Sequence, residues 1–187
     1  YRYNLIPILS SALTKNSQMK SFITKVSKPY NKLLSQKIGY TSDTLYRRSN
    51  FNGTFDDFLC DSMNAVLDTE ISLSPGFRWG ATLLPNQAIT LNDIYNHTAI
   101  TYPNTYIREM DGLTIKNILE DVADNIFNND PYLQQGGDMV RTRGIKYTIN
   151  PKNKINNRII NLRLNNDLPI KNNKKYKVSG WASVNNI

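Results

Sequence analysis

The spacing of the apolar residues changes along this chain, and that change limits the folds open to it. Phe55, Phe58, Leu59, Met63 and Val66 fall on one helical face, and Ile115, Ile118, Leu119, Val122 and Ile126 keep the same period further on. After Gly144 the pattern differs. Segments 144–149, 158–164 and 175–184 alternate or collect β-favouring residues between Asn, Pro and Lys turns, which predicts strands. Helices followed by late strands predict an α+β domain. A chain of 187 residues without internal repeats suits one such domain, with a buried core and an appendage.

The local signals fill in this outline. Met19, Phe22, Ile23, Val26, Tyr30 and Leu33 predict an amphipathic helix over 17–34, interrupted or kinked at Pro29. Residues 38–45 read as a strand. Thr54-Phe55-Asp56-Asp57 has the form of a capping box with Asp in the Glu position, and Thr90-Leu91-Asn92-Asp93 repeats it. A short buried strand is predicted over 70–73, and another, broken by Pro103, over 98–109. Asn128-Asn129-Asp130-Pro131 ends the long helix that follows Gly112.

Two glycine-bearing turns each deliver one arginine: Ser74-Pro75-Gly76-Phe77-Arg78-Trp79-Gly80 and Gln134-Gln135-Gly136-Gly137-Asp138-Met139-Val140-Arg141. Glycine permits close backbone approach, and a guanidinium offers a planar fork of donors suited to phosphate or sulfonate. Gly76, Arg78, Gly136, Gly137, Asp138 and Arg141 are therefore candidate anion-site residues. The same residues also suit ordinary turns with solvated arginines, and glycine patterns alone do not decide between the two. Arg47 and Arg48 stand as rim contacts or as plain surface charge.

Other chemistry is thinly supplied. His97 is the only histidine and Cys60 the only cysteine, so the chain cannot build a multi-histidine metal centre, a cysteine cluster or an internal disulfide. Cys60 reads as a buried thiol and His97 as structural or solvated. Glu120, Asp121 and Asp124 share a helix, with Glu120 and Asp124 on what reads as a solvated flank. The formal net charge of +8 invites nucleic acid, but the basic residues are scattered. The densest basic run, 171–177, reads as a turn entering a strand, and heavy use of Asn, Lys and Ile is something base composition of a gene produces by itself. Nucleic acid is accordingly not expected as a partner. No apolar run approaches the ~20 residues a membrane span needs.

Several of these segments, in order, resemble a known family. Ser-Pro-Gly-Phe-Arg-Trp-Gly, Ala99-Ile100-Thr101-Tyr102-Pro103, Ile118-Leu119-Glu120-Asp121-Val122-Ala123-Asp124-Asn125, Gln-Gln-Gly-Gly-Asp-Met-Val-Arg and Tyr176-Lys177-Val178-Ser179-Gly180-Trp181-Ala182-Ser183-Val184 are similar to the C-terminal half of the SoxB family. Its members are sulfate thiol hydrolases of bacterial thiosulfate oxidation, similar in architecture to 5′-nucleotidases. The resemblance implies a 5′-nucleotidase C-terminal-like fold, a mixed sheet with packed helices. It also implies a fragment, with residues 1–37 as an interdomain linker and 38–187 as a substrate-binding domain. Two divalent metal ions, manganese by family habit, are then expected in an upstream metallophosphoesterase-like domain and none in this chain. The implied partner is the Sox sulfur-carrier protein SoxYZ, the compartment the periplasm, and the state a monomer.

Residue by residue, the resemblance puts Arg78 where the nucleotidases bring an arginine from a Gly-Gly-Gly-Ile-Arg turn to the substrate. The chain departs from the nucleotidases at their aromatic clamp. Tyr102, in Thr101-Tyr102-Pro103-Asn104, stands where they have Pro-Phe-Gly, and their second aromatic has no evident counterpart near 176–184. That departure favours a sulfonate substrate over a nucleotide. A 5′-nucleotidase or UDP-sugar hydrolase domain, and a non-enzymatic basic binding module, remain the alternatives.

Overall fold

The computed structural model describes residues 2–6, 12–76, 80–99 and 104–181. The centre of the domain is a four-stranded sheet built from β2 (Ile71–Ser74), β4 (Thr105–Asp111), β5 (Arg141–Arg143) and β8 (Lys175–Trp181) in the order β4-β8-β2-β5. β8 pairs antiparallel with β4 and parallel with β2, and β2 pairs antiparallel with β5. The sheet is thus mixed, and its interior strands come from opposite halves of the chain.

Every residue of β2 is buried, which requires cover on both faces. Ile71 and Leu73 point to one side and join Ile115, Leu119 and Ala123 of helix α5 (Gly112–Phe127), with Met110, Met139, Ile145, Ile159, Tyr176 and Val178, in the largest apolar cluster. The alternate residues point the other way. Ser72 Oγ donates to the Cys60 carbonyl of helix α3 (Thr54–Leu67), and Ser74 Oγ accepts from Trp181 Nε1 at 2.7 Å. A smaller cluster of Phe55, Leu83 and Ile89 lies under β3 (Ala88–Thr90), which pairs with β1 (Lys37–Tyr40). Strands β6 (Ile145–Ile149) and β7 (Ile159–Leu164) form an antiparallel hairpin.

The two capping sequences behave differently. Thr90 caps helix α4 (Leu91–Thr98) in a full capping box with Asp93. Thr54, by contrast, is already helical, and the N-cap of α3 is Gly53. The Thr54 hydroxyl instead donates to the Thr44 carbonyl and accepts from Tyr46 N–H, tying the helix start to the chain that enters it. The buried face of α3 also differs from the predicted stripe: Phe55, Asp56, Cys60 and Met63 are inside, whereas Val66 is 81% exposed. The predicted helix over 17–34 divides at Pro29 into α1 (Ser17–Ser27), a 3₁₀ turn (Lys28–Tyr30) and α2 (Asn31–Leu34), none with a buried residue. The strand expected over 38–45 stops at Tyr40, and Leu45 makes an isolated bridge to Leu83. Of the strand expected over 98–109, Thr98 ends α4, β4 starts at Thr105, and Pro103 lies outside the described residues.

Candidate functional site

Antiparallel pairing of β2 with β5 sets Ser74 opposite Arg141, so the turn leaving β2 and the loop entering β5 emerge side by side. Gly76 is the contact between them. A Cβ added there would lie 2.5 Å from the Met139 carbonyl oxygen and 2.7 Å from Asp138 Cβ, so only glycine lets the two backbones approach this closely. At the far end of the turn, Gly80 has φ +90° and fits against the His97 ring, where a Cβ would collide with Nδ1. The root of the first candidate loop and the second loop are therefore packed as one unit. Gly136 and Gly137, both exposed and at positive φ, form its outer rim.

Arg78 and Tyr102 lie outside the described residues, though both ends of the Arg78 turn are described. Arg48 is exposed, with its Nε 3.5 Å from the Gly80 carbonyl, and so reaches the turn that carries Arg78. Arg141 is employed differently from an anion-facing arginine. Only 1% exposed, it gives Nε to Asp56 Oδ2, Nη1 to the Asn50 and Met139 carbonyls and Nη2 to the Ser49 carbonyl. Asp138, its side chain almost fully enclosed, lies 3.8 Å from Arg141 Nη2.

Arg47 corrects the reading of that residue as a rim contact or surface charge. It is 1% exposed, donates to Asp56 Oδ1, the His97 carbonyl and the Pro75 carbonyl, and lies over the Trp181 ring at 5.5 Å. Asp56, between the two arginines, is the residue the sequence reading missed as more than a helix-start acid. Burial pushes its carboxyl above the ordinary value, while both guanidiniums pull against that rise.

His97 is structural. Its ring stacks on Phe55 with centroids 3.7 Å apart, and burial holds its pKa below 6.5, with a hydrogen bond to the Ala81 backbone pulling the other way. Cys60 is buried, its thiol pushed up to about 12 chiefly by desolvation. Glu120 and Asp124 are not a solvated flank. Glu120 is buried and accepts from the N–H groups of Arg158 and Ile159, and Asp124 pairs with the Arg158 guanidinium. These carboxylates fasten α5 to β7.

Among the described residues no group of three His, Cys, Asp or Glu side chains is arranged to hold a metal, and no helix is long and apolar enough to cross a membrane. On the α3 side of the sheet lies an open, mainly apolar groove of about 480 Å³ walled by Leu59, Met63, Val66, Tyr95 and Trp181. Thr98 and Thr105, which flank the segment containing Tyr102, also line it.

The profile of the 5′-nucleotidase, C-terminal domain family matches residues 37–183. The chain belongs to that family. Within solved structures, it superposes on the sulfate thiohydrolase SoxB of Thermus thermophilus, determined with glycerol, at a TM-score of 0.89 and 32% identity, covering 94% of this chain and 32% of that one. The NAD nucleotidase of Haemophilus influenzae matches at 0.68 and 20% identity over 90% of this chain and 32% of its own. A 5′-nucleotidase precursor from Thermus thermophilus matches at 0.67 and 17% identity, over 87% of this chain and 32% of its own. At those two identities the likeness is one of fold. No curated protein sequence matches. The chain spans about a third of the length of these relatives, 32% in each case.

Proposed function

We propose that this 5′-nucleotidase C-terminal domain is the substrate-binding half of a hydrolase that releases sulfate from a cysteine S-thiosulfonate on a carrier protein. The observation that carries the reading is the 32% identity to SoxB, sustained over 94% of the chain, against 14 to 20% for the nucleotidases. The close approach of Ser74 and Gly76 to the 138–141 segment supports it, because a small oxyanion needs donors gathered from short, close backbone turns.

In this reading residues 1–37 link the domain to an N-terminal metallophosphoesterase-like partner, and 38–187 bind substrate. That partner would hold two divalent ions, manganese by family habit, which activate water and polarise the sulfonate oxygens. The water oxygen bonds to the sulfonate sulfur as its two protons pass to solvent, the S–S bond to that sulfur breaks with its electron pair on the carrier persulfide, and sulfate departs. Arg78 binds the anionic group with its fork, Arg48 lines the rim, and Tyr102 bounds the carrier arm. Gly76, Gly136 and Gly137 allow the backbone to close on the anion. Asp138 and Arg141 serve from beneath, shaping the loop. The carrier is the Sox protein SoxYZ, the setting is periplasmic, and the protein acts as a monomer.

A second reading has the groove behind it: Tyr95 and Trp181, beside the Tyr102 segment, offer aromatic walls to a nucleobase. One experiment separates the two. In the full-length enzyme Arg78→Lys keeps the charge and loses the fork, so kcat/KM on the S-thiosulfonate is expected to fall by roughly 1.5 to 3 kcal/mol of transition-state stabilisation with the fold intact. Wild-type kinetics for this variant would end the substrate-binding assignment, and faster turnover of nucleotides than of the S-thiosulfonate would favour the second reading.

A further inference from the structure

Arg47 and Arg141 meet on a single carboxylate. Arg47 Nε donates to Asp56 Oδ1 at 2.7 Å and Arg141 Nε to Oδ2 at 3.1 Å, with all three side chains fully enclosed. The Nη groups of the two guanidiniums also donate to five backbone carbonyls, those of Ser49, Asn50, Pro75, His97 and Met139. These carbonyls come from four separate segments. Ser49 and Asn50 directly follow Arg48, and Pro75 is the root of the turn that carries Arg78. His97 lies in the last turn of α4, before the Tyr102 segment, and Met139 belongs to the double-glycine loop.

Stability alone does not account for such a cluster. A buried ion triad exchanged for apolar side chains of similar volume often leaves a protein as stable or more so. An apolar cluster cannot orient carbonyl groups, however, and the carbonyls of the buried residues His97 and Met139 need donors. We propose that Asp56 is a positioning residue: it fixes Arg47 and Arg141, which hold the four substrate-facing segments in one relative arrangement. The inference rests on the substrate-binding reading of those loops.

Loosening the cluster lowers the fraction of molecules whose loops are arranged for binding, and apparent affinity falls by that fraction. Chemistry in a separate domain is unaffected once substrate is bound. Asp56→Asn keeps the size and removes the charge. Arg141→Lys keeps the charge and removes the fork, and it carries the test alone if Asp56→Asn does not fold.

In the 187-residue chain, hydrogen exchange in Arg141→Lys is expected to rise roughly tenfold over 48–52 and 136–140, with β4, β8 and α5 unchanged; in Asp56→Asn the rise extends to 74–80 and 96–104. In the full-length enzyme, on a synthetic peptide bearing a cysteine S-thiosulfonate, KM is expected to rise about tenfold while kcat stays within about twofold. Exchange that rises evenly through sheet and loops, or does not rise in the loops, overturns the proposal, as does a fall in kcat at constant KM. Wild-type kinetics for Arg78→Lys would remove the substrate reading while the loop-selective exchange stood, so the two failures are distinguishable.

Discussion

His97 illustrates how a single residue ties the loop cluster to solution conditions. Its ring is enclosed between Phe55 and Gly80, and its Nδ1 has no hydrogen-bond partner among the described residues. Burial is the main cause of its depressed pKa, Arg47 adds to the depression, and Asp93 and the Ala81 backbone oppose it. Between that depressed value and the ordinary 6.5, the unfolded chain binds a proton that the folded one does not. Stability therefore rises with pH through this window, is fully present above it, and is lost as pH falls, with a limiting slope of about 1.4 kcal/mol per pH unit. Asp124 is also shifted down, its carboxyl held low first by Arg158, so its contribution too is lost as pH falls, but only below the ordinary 3.8. Denaturant midpoints at pH 7.5 and 5.5 should then separate for the native chain and nearly coincide for His97→Gln; an equal separation in both would assign the dependence to other groups. Residues of this kind were only partly legible in the sequence. Cys60 could be placed by its apolar neighbours and His97 stayed between a structural and a solvated role, but Arg47, Asp56 and Arg141 pair across 9 and 85 positions, and nothing local announces which charged side chains will be drawn inside. One signal was available: Asp56 lies at helical spacing with Cys60 and Met63, on the face that the fold buries.

At the scale of elements, the helices and late strands were readable because each carries its own period, whereas their ends depended on contacts made elsewhere. Thr54 and Thr90 present nearly the same four-residue signal. Thr90 caps its helix because its hydroxyl is free to accept from Asp93 N–H, while the Thr54 hydroxyl is taken by Thr44 and Tyr46. Strand β5 was not foreseen at all, since three residues ending a polar glycine loop become a strand only when β2 lies alongside. The glycines of that loop and of the 74–80 turn have different work, and substitution should separate them. Gly76→Ala would push the Met139 carbonyl and Asp138 apart from the 74–80 turn, an overpacking cost of roughly 1 to 3 kcal/mol. Gly136→Ala meets no atom within 4 Å and bears only the penalty of its φ of 72°, about 1 kcal/mol. Urea denaturation of both variants is the check, and a Gly136→Ala cost equal to or above that of Gly76→Ala would contradict the close-packed loop pair.

For the whole molecule, hydrophobic period and family likeness were enough to reach the α+β class, but strand order was beyond them, because β8 enters the sheet beside β2 across about a hundred residues. The segment before the sheet is held far less firmly than the sheet itself. Met19, Phe22, Ile23, Val26, Tyr30 and Leu33 make one apolar stripe, yet each stays about half or more exposed, and α1 buries no residue. Helix formation is costly to nucleate, and isolated helices shorter than roughly 12 to 15 residues are marginal in water. With 11 residues, α1 has its Asn16 cap and its own backbone ladder but buries no residue, whereas α5 has the main apolar cluster against one face. Amides of 17–34 should consequently exchange orders of magnitude faster than those of α5 and β8, which open only with the global unfolding of the domain. A chain beginning at residue 37, where the family match begins, should unfold cooperatively at nearly the same midpoint as the whole one. Protection of 17–34 equal to that of α5, or a clear loss of stability on its removal, would mean that this helix is part of the domain rather than a segment awaiting a surface for its apolar stripe.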